Sequence, residues 1–231
     1  MNITAQGLVK FSGKKKVIDH LSFHLGEGGT LGIYGKSGSG KTLLMQMLAG
    51  ATSPDEGEIL YDGNAFPPDA AILKKKIGYL PQSNPLYPGM RILDFLLFLA
   101  RLYQLNGAGY ARVEKIISLC GLENEKSKTI RELSQGCKQR LGIAQVLIHD
   151  PDLLLLDEPV HGLDPRQTQE LLSILKTVGE HKTMIVSSGE WSNIARLCPR
   201  MISFSAPPEE KFTQEEEEEE EENVLFNFPE E

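Results

Sequence analysis

Two short stretches carry groups able to act on a phosphate. GKSGSGKT, Gly35 to Thr42, fits G-x-x-x-x-G-K-[ST] at every fixed position. Gly35, Gly38 and Gly40 let the backbone wrap closely around an anion, with the N–H groups of Lys36, Ser37 and Ser39 in the same turn. Lys41 is placed to meet β- and γ-phosphates, and the Thr42 hydroxyl to ligate Mg²⁺. A dinucleotide fingerprint fails, because Gly38-Ser39-Gly40 is followed by Lys-Thr-Leu and not by x-x-Gly. The second stretch, LLLLDEPVHGLDP at 153–165, sets Asp157 and Glu158 directly after four leucines. Bare charge there is costly unless paired or metal-bound. Solvated acids at a surface strand end are the alternative, but four leucines imply burial on both faces. Asp157 is therefore expected to hold the metal, directly or through water. Glu158 is expected to polarise a water for in-line attack on the γ-phosphate.

These groups need a frame. Residues 30–34 read as a strand and 41–49 as a helix, so the glycine-rich loop joins a strand to a helix N-terminus that favours anions. Further strands are expected at 58–61, 77–80, 153–156, 183–187 and 201–204. From about 93 to 148 the pattern is helical throughout, and no internal repeat is visible. Strands alternating with helices predict an α/β fold with a largely parallel sheet, interrupted by a helical insertion.

Composition bounds the function classes. The chain has 231 residues, 40% of them hydrophobic, enough for one good core. Cys120, Cys137 and Cys198 have no metal-ligand spacing and an odd count, which fits a reducing compartment. No signal peptide is evident and no run reaches the roughly 18 apolar residues of a membrane span. The expectation is a soluble chain whose membrane role comes through a partner. The net charge of −8 is uneven: residues 209–231 carry −11, leaving +3 on the other 208. Glu215 to Glu222 form an unbroken acidic run, so residues 207–231 are expected to be a disordered tail. Val224, Leu225, Phe226 and Phe228 beyond it could form a short docking motif. Lysine triplets at 14–16 and 74–76 read as solvated surface, and no nucleic-acid partner is expected.

LSQGCKQRLGIAQVLIHDPDLLLLDEP, 133–159, narrows the class further. It resembles the signature-to-Walker-B block of ATP-binding-cassette (ABC) ATPases, and the resemblance spans about residues 2–206. It implies a P-loop NTPase core with a mixed, largely parallel sheet, N-terminal antiparallel β-strands and a helical subdomain at about 83–149. Ser134 and Gly136 match the signature residues that meet the γ-phosphate held by a second subunit; Gln135 and Cys137 replace commoner residues. Gln82, in IGYLPQ, matches a glutamine that contacts Mg²⁺ and joins the helical subdomain to the core. Phe11 sits where the family stacks an aromatic on adenine; a core Phe in an amphipathic strand is the competing assignment. The stretch 84–103 resembles the surface that receives a permease's coupling helix, and HGLDP resembles the D-loop, with Asp164 matching its aspartate.

One position departs from the family. A histidine normally follows the strand at 183–187, where it touches the γ-phosphate; here Gly189 occupies that place. His181 lies at the far end of the same strand and cannot reach. The resemblance implies an ATP-binding and ATP-hydrolysing subunit of an exporter-type ABC transporter, using ATP and Mg²⁺. Lys41, Gln82 and Glu158 would serve catalysis, with a second ABC ATPase subunit and a transmembrane permease as partners. Its place would be cytoplasmic, peripheral on the inner face of the membrane. A soluble ABC ATPase acting on nucleic acid or ribosomes, and a hydrolysis-poor ATP-dependent switch, stay open as alternatives.

Overall fold

A computed structural model describes residues 1–65, 71–105, 107–205 and 224–226. The strands are β1 (Ile3–Ser12), β2 (Lys15–Leu25), β3 (Thr30–Tyr34), β4 (Glu56–Tyr61), β5 (Asn64–Ala65), β6 (Ile77–Leu80), β7 (Leu153–Asp157), β8 (Thr183–Ser188), β9 (Arg200–Ser203) and β10 (Val224–Phe226). The helices are α1 (Lys41–Leu48), α2 (Ala71–Lys74), α3 (Ile92–Leu102), α4 (Gly109–Leu119), α5 (Gln135–Leu147), α6 (Pro165–Gly179) and α7 (Trp191–Ala195).

The strands segregate into two sheets. An antiparallel one has the order β2-β1-β4-β5, and a parallel one the order β10-β9-β3-β8-β7-β6. Between β6 and β7 the described residues form helices and turns, tied by one isolated bridge from Arg91 to Thr129. No helix among the described residues is long and apolar enough to cross a membrane.

The four leucines of β7 are explained by two cores. Leu153 and Leu155 join a cluster with Ile33 of β3 and Leu44 and Met45 of α1. Leu154 and Leu156 point the other way, into a cluster with Leu141 of α5 and Leu171 of α6. A strand of period two, covered on both faces, must be apolar at every position. Each buried leucine contributes about 1.5–3 kcal/mol. That anchors the strand end where the two acids stand.

The C-terminal segment departs from expectation. Val224–Phe226 pair in parallel with β9, Val224 opposite Met201 and Phe226 opposite Ser203. A tail without structure through residue 231 therefore does not hold at these three residues. Glu215 to Glu222 and Phe228 lie outside the described residues. Backbone pairing onto an open sheet edge needs no special side chains, which is why composition gave no warning. Deleting residues 209–231 should cost about 1–3 kcal/mol, at roughly 1 kcal/mol per ladder hydrogen bond. In a chain of this size that lowers Tm by about 2–10 °C. An unchanged melting curve would show that β10 contributes nothing to the fold.

Candidate functional site

The glycine-rich loop leaves the C-terminal end of β3 and enters α1. Gly40 caps the helix at φ 111°, a conformation open to glycine, and a Cβ there would collide with Val17. Ser37 to Thr42 line a cavity of about 520 Å³, together with Gln82, Glu158, His161 and Gly189. Gly35 and Lys36 form the base of the loop: Lys36 N–H donates to Ser205 Oγ at 3.1 Å, and Gly35 N–H to Ser188 O at 3.3 Å.

Lys41 is buried, and its ammonium lies 3.0 Å from Glu158 Oε1. It also donates to the carbonyls of Gly35, at 2.5 Å, and Lys36, at 3.2 Å. The charge that would meet phosphate is thus neutralised by the carboxylate that would activate water. A phosphate entering the loop competes with Glu158 for Lys41.

Strand register arranges the two acids. β7 pairs with β8 so that Asp157 faces Ser187. Ser187 Oγ donates to Asp157 Oδ1 at 2.6 Å and accepts from Glu158 N–H at 2.9 Å, so one fully buried hydroxyl holds both residues. Glu158 has φ 51°, in the left-handed region, which costs on the order of 1–3 kcal/mol. Its surroundings fix it there: Ser187 holds its N–H, Lys41 holds Oε1, and Gly189 N–H donates to Oε2 at 3.0 Å. The buried leucines behind it outweigh that strain. Sequence spacing gave no sign of Ser187, which is 30 residues away and reaches Asp157 only through sheet register.

Asp157 is 1% exposed, and its Oδ2 has no hydrogen-bond partner among the described residues. An orphaned carboxylate oxygen at this depth is costly unless a cation meets it. Its negative charge also helps burial, the larger cause, to push the Tyr79 hydroxyl up to about 12. Asp157, Thr42 and Gln82 offer only oxygen donors, the chemistry suited to Mg²⁺. No group of three or more His, Cys, Asp or Glu placed to hold a metal ion is found among the described residues. Mg²⁺ does not need one, because it keeps water and phosphate oxygens in its shell.

Phe11 is 42% exposed, at the end of β1, so a core role is excluded. It stands beside Ser12, which does line the cavity, but is not part of that lining itself. Ser134 and Gly136 lie elsewhere. They open α5, with Ser134 as N-cap accepting from Cys137 N–H at 3.2 Å, and line a separate cleft of about 300 Å³ that includes Asp164. The two cavities share no lining residue. His161 lines the first, while His181 is exposed just before β8. Gly189 does not have a positive φ, and a Cβ there would meet Glu158 Oε1 at 3.5 Å and Gly35 O at 3.8 Å, both ordinary contacts.

Residues 18–161 match the sequence profile of the family described as ABC transporter. The chain belongs to the ABC transporter family. It is 34% identical over 194 residues to a Nod factor export ATP-binding protein I of Paraburkholderia xenovorans, covering 83% of this chain and 64% of that protein. A linearmycin resistance ATP-binding protein, LnrL, of Bacillus subtilis is 32% identical over 201 residues, covering 86% of this chain and 65% of the relative. The chain thus spans slightly under two thirds of the length of these curated relatives. Among solved structures, a dimeric bacterial ABC transporter cassette, MJ0796, superposes with a TM-score of 0.77 at 26% identity, covering 87% of this chain and 93% of the other. The cbiO1 cassette of Clostridium perfringens, part of the cbiONQ transporter complex, gives 0.78 at 26% identity, with 87% and 83% covered. In this family context the two-sheet α/β fold is that of an ABC cassette.

Proposed function

We propose that this chain is the ATP-binding and ATP-hydrolysing subunit of an exporter-type ABC transporter, working with a separately encoded permease. The observation that carries the reading is the division of labour between two cavities. The phosphate loop, Lys41 and Glu158 line one, while Ser134 and Gly136 open a helix N-terminus on another. A helix N-terminus is an anion site in want of an anion. Two copies, or this chain and a related cassette, would each complete the other's nucleotide site.

In that arrangement the loop amides and Lys41 bind the phosphates. Thr42, Gln82 and Asp157 would hold Mg²⁺, which supplies charge neutralisation at the β- and γ-phosphates when bound. Phosphate draws Lys41 away from Glu158, and the freed carboxylate, still held by Gly189 N–H, accepts a proton from the attacking water. Phe11, exposed at the cavity rim, would pack on adenine. Tyr87, Phe98 and Leu102 are exposed apolar side chains on and before α3, and they support a permease docking surface on the helical insertion. The names of the relatives support export; the membrane face follows from the permease. Calorimetry with MgATP, and copurification with a multi-spanning membrane protein, test the reading. A chain that binds no ATP refutes it, and one that binds ATP but copurifies with ribosomes favours the soluble alternative.

Gly189 favours slow hydrolysis. Position 189 supplies no imidazole to the developing charge on the γ-phosphate, and losing one such donor costs about 10²–10³ in rate in other hydrolases. The backbone at 189 accepts a side chain, so Gly189→His should raise steady-state phosphate release about tenfold or more. If His161 already substitutes, His161→Ala abolishes turnover and Gly189→His adds little.

A further inference from the structure

The turn that carries Gln82 is pinned to the signature helix by a side chain without a catalytic assignment. Asn84 N–H donates to Pro81 O at 2.9 Å, closing a four-residue turn with Gln82 inside it. Asn84 has φ 42°, a left-handed conformation that asparagine tolerates better than most residues. Its Nδ2 donates to Lys138 O at 2.8 Å and to Gln139 Oε1 at 3.1 Å, and Gln139 is itself buried. Gly142 lies against the same amide. A Cβ at 142 would stand 2.6 Å from Asn84 Oδ1 and 2.8 Å from its Cγ and Nδ2. The asparagine amide therefore rests on the backbone of α5 where only glycine leaves room.

Gln82 faces both ways. It lines the nucleotide cavity, and it also lines a cleft of about 340 Å³ with Asn84, Gln135, Lys138 and Gln139. We propose that Asn84 is a positioning residue that transmits the nucleotide's state from Gln82 to the N-terminal turn of α5. The proposal rests on the reading of Gln82 as a metal contact and of Ser134 and Gly136 as the turn that meets a second cassette. A helix packed into a dense core moves as a unit, so a shift of the Gln82 turn must carry α5 with it while the pin is intact. Residues 138, 139 and 142 lie within the first eight positions of α5, close to the end that presents Ser134.

The test is hydrogen exchange at residues 134–142 of the full chain, with and without Mg²⁺ and a non-hydrolysable ATP analogue, beside calorimetric affinity and Tm. In the unsubstituted chain, nucleotide changes exchange in this segment. Asn84→Ala should keep affinity within about threefold yet reduce that change about fivefold or more, the scale of an ordinary coupling between sites. Asn84→Asp, which turns an acceptor toward the Lys138 carbonyl, should do the same. Gly142→Ala expels the amide and loses the response together with some stability. The double variant Asn84→Ala/Gly142→Ala has room for the new methyl, so Tm recovers while the response does not. Recovery of both, or a full response in Asn84→Ala, overturns the proposal in favour of a purely structural contact. A nucleotide-bound wild type with unchanged exchange at 134–142 overturns it while leaving the ATP reading intact. A wild type that binds no nucleotide overturns both.

Discussion

Lys41→Ala is expected to abolish nucleotide binding while leaving the fold in place. The ammonium is buried, lies 3.0 Å from Glu158 Oε1 and is held over the loop by the Gly35 and Lys36 carbonyls. It is aimed before any ligand arrives. Removing one partner of a desolvated charge pair costs about 2–5 kcal/mol, or about 30-fold to several-thousand-fold in affinity. Glu158 loses its cation in the variant, but Gly189 N–H still holds Oε2 and the cavity admits water. The packing clusters that stabilise α1 involve Leu44, Met45, Met47 and Leu48, none of which changes. Calorimetry with MgATP and a melting curve separate the two effects. Equal ATP binding by the wild type and Lys41→Ala would remove the phosphate-loop assignment altogether.

Glu158→Gln should bind MgATP at least as tightly as the wild type and hydrolyse it about 10²–10⁴-fold more slowly. The rate loss is that of a general base whose amide replacement keeps shape but cannot take a proton. The affinity follows from the ion pair. In the wild type, phosphate must displace a carboxylate from Lys41; in the variant it displaces only a neutral amide. Trapped in the ATP state, the variant should favour a closed dimer, either with itself or with a partner cassette. Asp157→Asn behaves differently. Ser187 still donates to the one remaining oxygen, but an amide NH2 replaces the unpartnered Oδ2 and cannot meet a cation, so the magnesium dependence of binding should weaken. Sizing chromatography with MgATP, and binding titrations across Mg²⁺ concentrations, distinguish the two. A Glu158→Gln protein that stays monomeric with every candidate partner would count against the two-cassette site.

The chemistry-bearing residues were legible in the chain because their signals are local. A loop that wraps phosphate needs glycines at fixed offsets and a lysine beside the helix start, and GKSGSGKT meets that need within eight residues. A strand buried on both faces must be apolar throughout, so four leucines before two acids announced a core strand with two carboxylates at its end. The helical insertion was visible for a similar reason: about 55 residues pass without a strand period. What the tertiary structure decided is everything that depends on sheet register and on which surfaces meet. Ser187 reaches Asp157 only because β7 and β8 pair in that register. The Lys41–Glu158 ion pair joins residues 117 positions apart, and the Asn84–Gly142 contact requires α5 to lie against the Gln82 turn. The same limit applies to Val224–Phe226, whose place on the edge of β9 is made by backbone hydrogen bonds that any residue but proline can offer. Local sequence specifies which groups are available and in what conformation. Long-range pairing selects their neighbours, because the free energy of burial that brings strands and helices together is nearly indifferent to which particular polar atoms end up face to face.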